Sequence, residues 1–147
     1  MRQLIRRAAE QGLRVHGKHL PPGKLGFYSP LEARIYFSLR LTESERRSVI
    51  AHELGHAHYG HLCDGTRRDR HESQADIYAA RLLIDPAAYA ELERVNPDQH
   101  HLAEEFNVTV DVIYTYEAHC LTRLRGITYS SPRMGIGQWA HRSLLPA

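Results

Sequence analysis

Residues 52–61 read HELGHAHYGH, four histidines and one glutamate in ten positions. Within them His52, Glu53 and His56 spell His-Glu-x-x-His. The chain holds 11 His and 11 Glu in 147 residues, yet random placement yields this pattern only about 0.06 times. On a helix, His52 and His56 project from one face, one turn above the other. Two imidazoles so placed can fill two corners of a tetrahedral zinc site. Glu53 lies about 100° further round, off the ligand corner but able to face a water on the ion. That arrangement suits hydrolysis of a peptide bond. The competing reading is a solvated polar helix face in a histidine-rich chain, and a third ligand must decide between the two.

An open catalytic zinc site keeps three protein ligands. Downstream candidates are His58, His61, Asp64, His71, Glu72 and Asp76. The extended pattern H-E-x-x-H-x-x-G-x-x-H is excluded, because Tyr59 and Leu62 stand where it needs Gly and His. His58 points to another side of the helix, and His61 reaches the metal only through an abrupt turn. Glu72 is different. HESQADIYAARLLI (71–84) reads as a helix whose Ala75, Ala79, Leu82 and Leu83 form a core-facing stripe, and Glu72 falls on that stripe by spacing. A carboxylate there is costly unless it is paired or binds a metal. Asp76 falls near the same stripe. Glu72 as third ligand, with Asp76 accepting a hydrogen bond from a ligating histidine, accounts for both. The alternative is that Glu72 only places negative charge in the first turn of its helix.

Around these motifs the chain reads as an α+β protein. RQLIRRAAEQG (2–12) has helical spacing and a terminal glycine; LRVHGKHL (13–20) alternates weakly, as a short strand does. LGFYSPLEARIYFSL (25–39) reads as a β-hairpin around Ser29-Pro30, with Ile35, Phe37 and Leu39 on one face of the second strand. Thr42-Glu43-Ser44-Glu45 is a capping box that starts the metal-motif helix. Asp85-Pro86 starts another helix, and two more are expected at 99–106 and about 110–124. Residues 1–125 are expected to form one domain, with 99–124 a helix-turn-helix-like pair inside it and 126–147 a flexible tail. Hydrophobic content of 42% and net charge of +2 are ordinary, which argues against a dedicated nucleic-acid binder. No apolar run reaches membrane-spanning length, and MRQLIRRAAEQG lacks a signal-peptide core. Cys63 and Cys120 form no C-x-x-C pair. The simplest expectation is a cytoplasmic protein.

HELGH (52–56) followed by ESQADIYAARLLIDP (72–86) resembles the ImmA/IrrE family of bacterial and phage metallopeptidases. That family's pattern is H-E-x-x-H, then E-x-x-A-[DN]-x-[FY]-A-x-x-L-L-x-P; Glu72, Ala75, Asp76, Tyr78, Ala79, Leu82 and Leu83 meet it, and Pro86 stands one residue beyond the pattern's proline. The lead-in, with Gly26 and Tyr28 before RIYFSL and then LTESERRSVIAHELGHA, is similar as well. The resemblance implies a zincin-like (minimal gluzincin) fold with a small antiparallel sheet beside the HExxH helix and a C-terminal helical segment. It implies one Zn2+ per chain held by His52, His56 and Glu72, with Glu53 as general base. It also implies the substrate, a helix-turn-helix transcriptional repressor of a prophage, mobile element or stress regulon. The edge strand 34–39 is a candidate to hold that substrate by strand addition. His71, Tyr78 and Tyr129 are candidates for an oxyanion stabiliser, none distinguished from the others. The rival expectation is a non-catalytic antirepressor or toxin–antitoxin-type partner that binds a repressor stoichiometrically around a structural zinc. Direct DNA binding by VTVDVIYTYEAH (108–119) is disfavoured, since it carries Asp111 and Glu117 and no Arg or Lys.

Overall fold

The structure, a computed structural model, describes residues 1–61, 68–121, 127–128 and 143–144. Cys63, Asp64 and Tyr129 lie outside the described residues, as does most of the expected tail. Helix α1 (Arg2–Glu10) leads into strand β1 (Arg14–Lys18), then β2 (Gly26–Ser29) and β3 (Arg34–Ser38). Helices α2 (Glu43–Tyr59) and α3 (Arg68–Leu83) follow, then α4 (Pro86–Val95), α5 (Gln99–Phe106) and α6 (Val110–Thr115). The last of these runs on into a π-helical turn, Tyr116–Leu121.

Local chemistry explains the helix starts. Thr42 accepts from the Glu45 N–H at 3.3 Å while its own N–H donates to Glu45 Oε2 at 2.8 Å, a complete capping box. Asp85 caps α4 by accepting from the Ala88 N–H at 2.9 Å, with Pro86 next as the first helical residue. Asp98 caps α5 through the His101 N–H at 2.9 Å.

The sheet departs from expectation in one respect that matters for function. Its order is β1-β3-β2, with β1 parallel to β3 and β2 antiparallel to it. The sheet is therefore mixed, and β3 is its central strand. The placing of strand 34–39 at an edge is corrected: β3 is bonded on both sides because Leu13–Lys18 returns alongside it, with the Arg14 N–H on Ala33 and the Leu39 N–H on the Lys18 carbonyl. Such pairing is a tertiary event that the hairpin pattern cannot reveal. The strand also stops at Ser38, and Leu39 is 47% exposed rather than in the core.

Two hydrophobic clusters hold the molecule. One joins Leu4, Ala8, Leu13, Ile35, Ile50, Ala51, Leu54 and Ala79; the other joins Ala80, Ile84, Tyr89, Leu102, Val112, Ile113, Tyr116 and Leu121, among others. Helix α3 serves both, with Ala79 in the first cluster and its neighbour Ala80, about 100° round the helix, in the second. Against α2 it packs at very short range. A Cβ on Gly55 would lie 2.8 Å from the Ala75 Cα and 2.9 Å from its carbonyl oxygen. The absent side chain at 55 is what lets these helices approach. No helix among the described residues is long and apolar enough to cross a membrane.

Candidate metal centre

Helix α2 presents His52 and His56 one turn apart, and the close crossing at Gly55 and Ala75 brings the first turns of α3 over them. Three donor side chains converge. His52 Nε2 and His56 Nε2 are 2.9 Å apart, Glu72 Oε2 is 3.2 Å from the first and Glu72 Oε1 is 3.6 Å from the second. Among the described residues this is the one group of three such side chains able to hold a metal ion. With zinc–ligand bonds of about 2.0–2.1 Å, the edge of a tetrahedral site is about 3.3 Å, and the observed separations bracket that value.

The protonation pattern agrees with the spacing. His52 Nδ1 is 2.7 Å from Asp76 Oδ1. A carboxylate only accepts, so His52 carries a proton on Nδ1, and in the neutral ring Nε2 is bare and faces the cluster. A cation among the three side chains would take the lone pairs of both facing Nε2 atoms, 2.9 Å apart. The residues present fit a divalent ion such as zinc.

Glu72 and Asp76 lie beside the histidines, but not on a buried stripe of α3. Ala75, Ala79 and Ala80 are the buried positions of α3, whereas the side chains of Glu72 and Asp76 are 48% and 53% exposed. They lie over the histidines rather than in the core, and their proximity to those rings is what singles them out.

Glu53 sits apart from the three donors. It is buried, and that burial pushes its carboxyl up to about 7, against the pull of His52 and of a hydrogen bond from the Tyr28 backbone N–H. Strand alternation explains the second contact. The Ser38 N–H bonds the Leu25 carbonyl, so residues 25, 27 and 29 turn their backbone groups toward β3, and Gly26 and Tyr28 turn theirs to the side of β2 that is free of other strands among the described residues. Glu53 thus lies at that free edge, close under Gly26, whose Cβ if present would be 3.8 Å from the Glu53 Cγ. Burial pulls the His52 pKa down, but the Asp76 hydrogen bond and the surrounding carboxylates outweigh it and the net shift is upward. His56, desolvated and beside His52, is shifted down.

Of the other candidates, the Tyr78 hydroxyl accepts from Gln11 Nε2 at 3.0 Å and ties α1 to α3. His71 stacks on His61 with ring centroids 4.0 Å apart. His58 packs its ring against Tyr59 and Tyr78. His61 does make the abrupt turn that its place in the sequence required. Gly60 takes a left-handed conformation (φ 64°) and the His61 N–H returns to the His56 carbonyl at 3.0 Å. The signal for that turn, a glycine directly after the helix, was in the sequence.

An α+β frame carrying this cluster on two crossed helices is zincin-like. The chain belongs to the peptidase family described as the IrrE N-terminal-like domain, whose model matches residues 8–115. Its fold is similar to that of a Mycobacterium tuberculosis transcriptional regulator, with TM-score 0.66 and 18% identity over 89% of this chain and 41% of that one. The chain thus spans less than half the length of that protein, and at this identity the likeness is one of fold. No curated protein matches the chain.

Proposed function

We propose that this protein is a zinc-dependent endopeptidase that cleaves a helix-turn-helix transcriptional repressor and so relieves repression. The observation that carries the reading is the convergence of His52 Nε2, His56 Nε2 and the two Glu72 carboxylate oxygens, 2.9–3.6 Å apart, beside a buried carboxylate, Glu53. A zinc ion held there supplies Lewis-acid chemistry, acidifying water and polarising a carbonyl. Glu53 takes the proton from the attacking water on a carboxylate oxygen and hands it to the leaving amine nitrogen. Its raised pKa suits both halves of that transfer. Asp76 holds the His52 ring in the tautomer that ligates.

The free edge of β2 is the place for substrate. A peptide added there meets the outward backbone groups of Gly26 and the Tyr28 carbonyl and runs past Glu53, which holds the Tyr28 N–H; this makes β2 and not β3 the docking strand. Support for the repressor as substrate comes from family membership and from the motifs at 52–56 and 72–86. Reading of DNA by this chain is disfavoured: Val112 and Ile113 of α6 are buried, and Glu117 is buried between Tyr89 Oη and Gln99 Nε2, each at 2.6 Å. The test is metal analysis of the purified protein, paired with digestion of the repressor encoded beside it. About one zinc per chain and discrete repressor fragments, absent with Glu53→Gln, are expected. A repressor that stays intact in a stoichiometric complex with zinc-loaded protein would favour the antirepressor reading instead.

A further inference from the structure

Two histidine ligands need two partners to set their tautomers. His52 has Asp76. Among the described residues no carboxylate lies on His56 Nδ1; that atom lies 3.0 Å from Nδ1 of His61, and His61 Nε2 lies 3.1 Å from Oε1 of Gln74 on α3. The direction of this chain follows from its outer end. The Gln74 oxygen can only accept, so His61 Nε2 carries a proton and donates it. Neutral His61 then has a bare Nδ1, which accepts from Nδ1–H of His56. That leaves Nε2 of His56 bare, pointing at His52 Nε2 and Glu72.

The ring that passes this polarity inward is fixed in place. His61 stacks on His71 at 4.0 Å and 10° and on Tyr59 at 5.5 Å and 18°. It is 8% exposed. The left-handed Gly60 turns it back beneath the helix end. Neither His61 nor Gln74 occupies a fixed position of the motif at 52–56 and 72–86.

We infer that His61 is a positioning residue for the metal site: anchored by Gln74 and stacked on His71 and Tyr59, it holds His56 as the Nδ1–H tautomer and so keeps Nε2 free to ligate. The inference rests on the zinc-peptidase reading and extends it. Loss of an outer partner of a ligating histidine typically costs 10- to 100-fold in metal affinity, and that range is expected here.

The experiment measures zinc affinity of the full chain by competition with a chromophoric chelator, alongside 15N spectra of the imidazoles of the zinc-loaded protein. His61→Phe keeps a flat ring in the stack and removes the acceptor; its zinc affinity should fall 10- to 100-fold, and the proton on His56 Nδ1, slow to exchange in wild type, should exchange rapidly. His61→Asn, which can offer an amide oxygen near the lost nitrogen, should recover at least part of that affinity. Gln74→Leu cuts the outer link from helix α3 and should weaken zinc in the same direction, which keeps the test open if a change at 61 prevents folding. Gln74→Glu, which still accepts, should bind as wild type does. Wild-type affinity within twofold in both His61→Phe and Gln74→Leu, with the His56 proton unchanged, overturns the inference while the zinc reading stands. Failure of the wild-type protein to bind zinc overturns both.

Discussion

Glu53 is 9% exposed with its carboxyl pushed up to about 7, whereas the Glu72 side chain is 48% exposed and faces two imidazole nitrogens. The two carboxylates should therefore fail differently when altered. Glu53→Gln keeps an amide oxygen for the Tyr28 N–H and removes a charge that burial disfavours. For an acid whose folded pKa lies above its ordinary value of 4.5, the associated stability is present below 4.5 and lost as pH rises through about 7. Metal-free Glu53→Gln should accordingly melt no lower than wild type, and at pH 8 a few degrees higher, while cleavage is lost and zinc content stays the same. A lower melting point with cleavage retained would remove Glu53 from the proposed role. Glu72→Ala should instead spare the fold and cost zinc affinity, by more than the 10- to 100-fold expected for Asp76→Ala, measured by chelator competition. His52, Glu53 and His56 were legible because their relation is local, set by helical periodicity alone. Glu72 was legible only through a burial argument that half holds. The His56–His61 pair was missed because its geometry depends on how the helix ends.

At the scale of elements, the crossing of α2 and α3 decides whether Glu72 reaches the histidines at all. Gly55→Ala poses two effects of opposite sign. Alanine is the better helix former by about 1 kcal/mol. Its Cβ, though, would lie 2.8–2.9 Å from the backbone Cα and carbonyl oxygen of Ala75, atoms that move only with the helix, and overpacking of this kind costs about 1–3 kcal/mol. The steric effect should win. Gly55→Ala should lower the melting temperature, and because Glu72 sits on α3 one turn before Ala75, zinc affinity should fall with it. A more stable variant with unaltered zinc affinity would show that the crossing has slack. The helix starts were readable from sequence because Thr42, Asp85 and Asp98 each act on an N–H group three residues away. The order of the sheet was not, since the parallel partner of β3 comes from twenty residues earlier and no turn chemistry announces it.

Over the whole molecule, α3 divides its buried residues between two clusters, Ala79 in one and Ala80 in the other, and carries at its start the carboxylate that closes the metal site. Zinc held between His52, His56 and Glu72 would therefore pin α3 to α2 at the end opposite Ile84, and both clusters would feel its loss. Binding to the folded state alone stabilises by RT ln(1 + [L]/Kd), about 4 kcal/mol at a free ion concentration a thousand times Kd. For a chain of this size that is roughly 10 °C in melting temperature. Stripping the metal with a chelator should lower the wild-type melting point by about that amount and restoring zinc should return it. Glu72→Ala, with its site already weakened, should shift much less under the same treatment. If chelation left the wild-type melting curve unmoved although metal analysis showed the ion had gone, α2 and α3 would be held by packing at Gly55 and Ala75 without help, and the ion's contribution would be confined to chemistry.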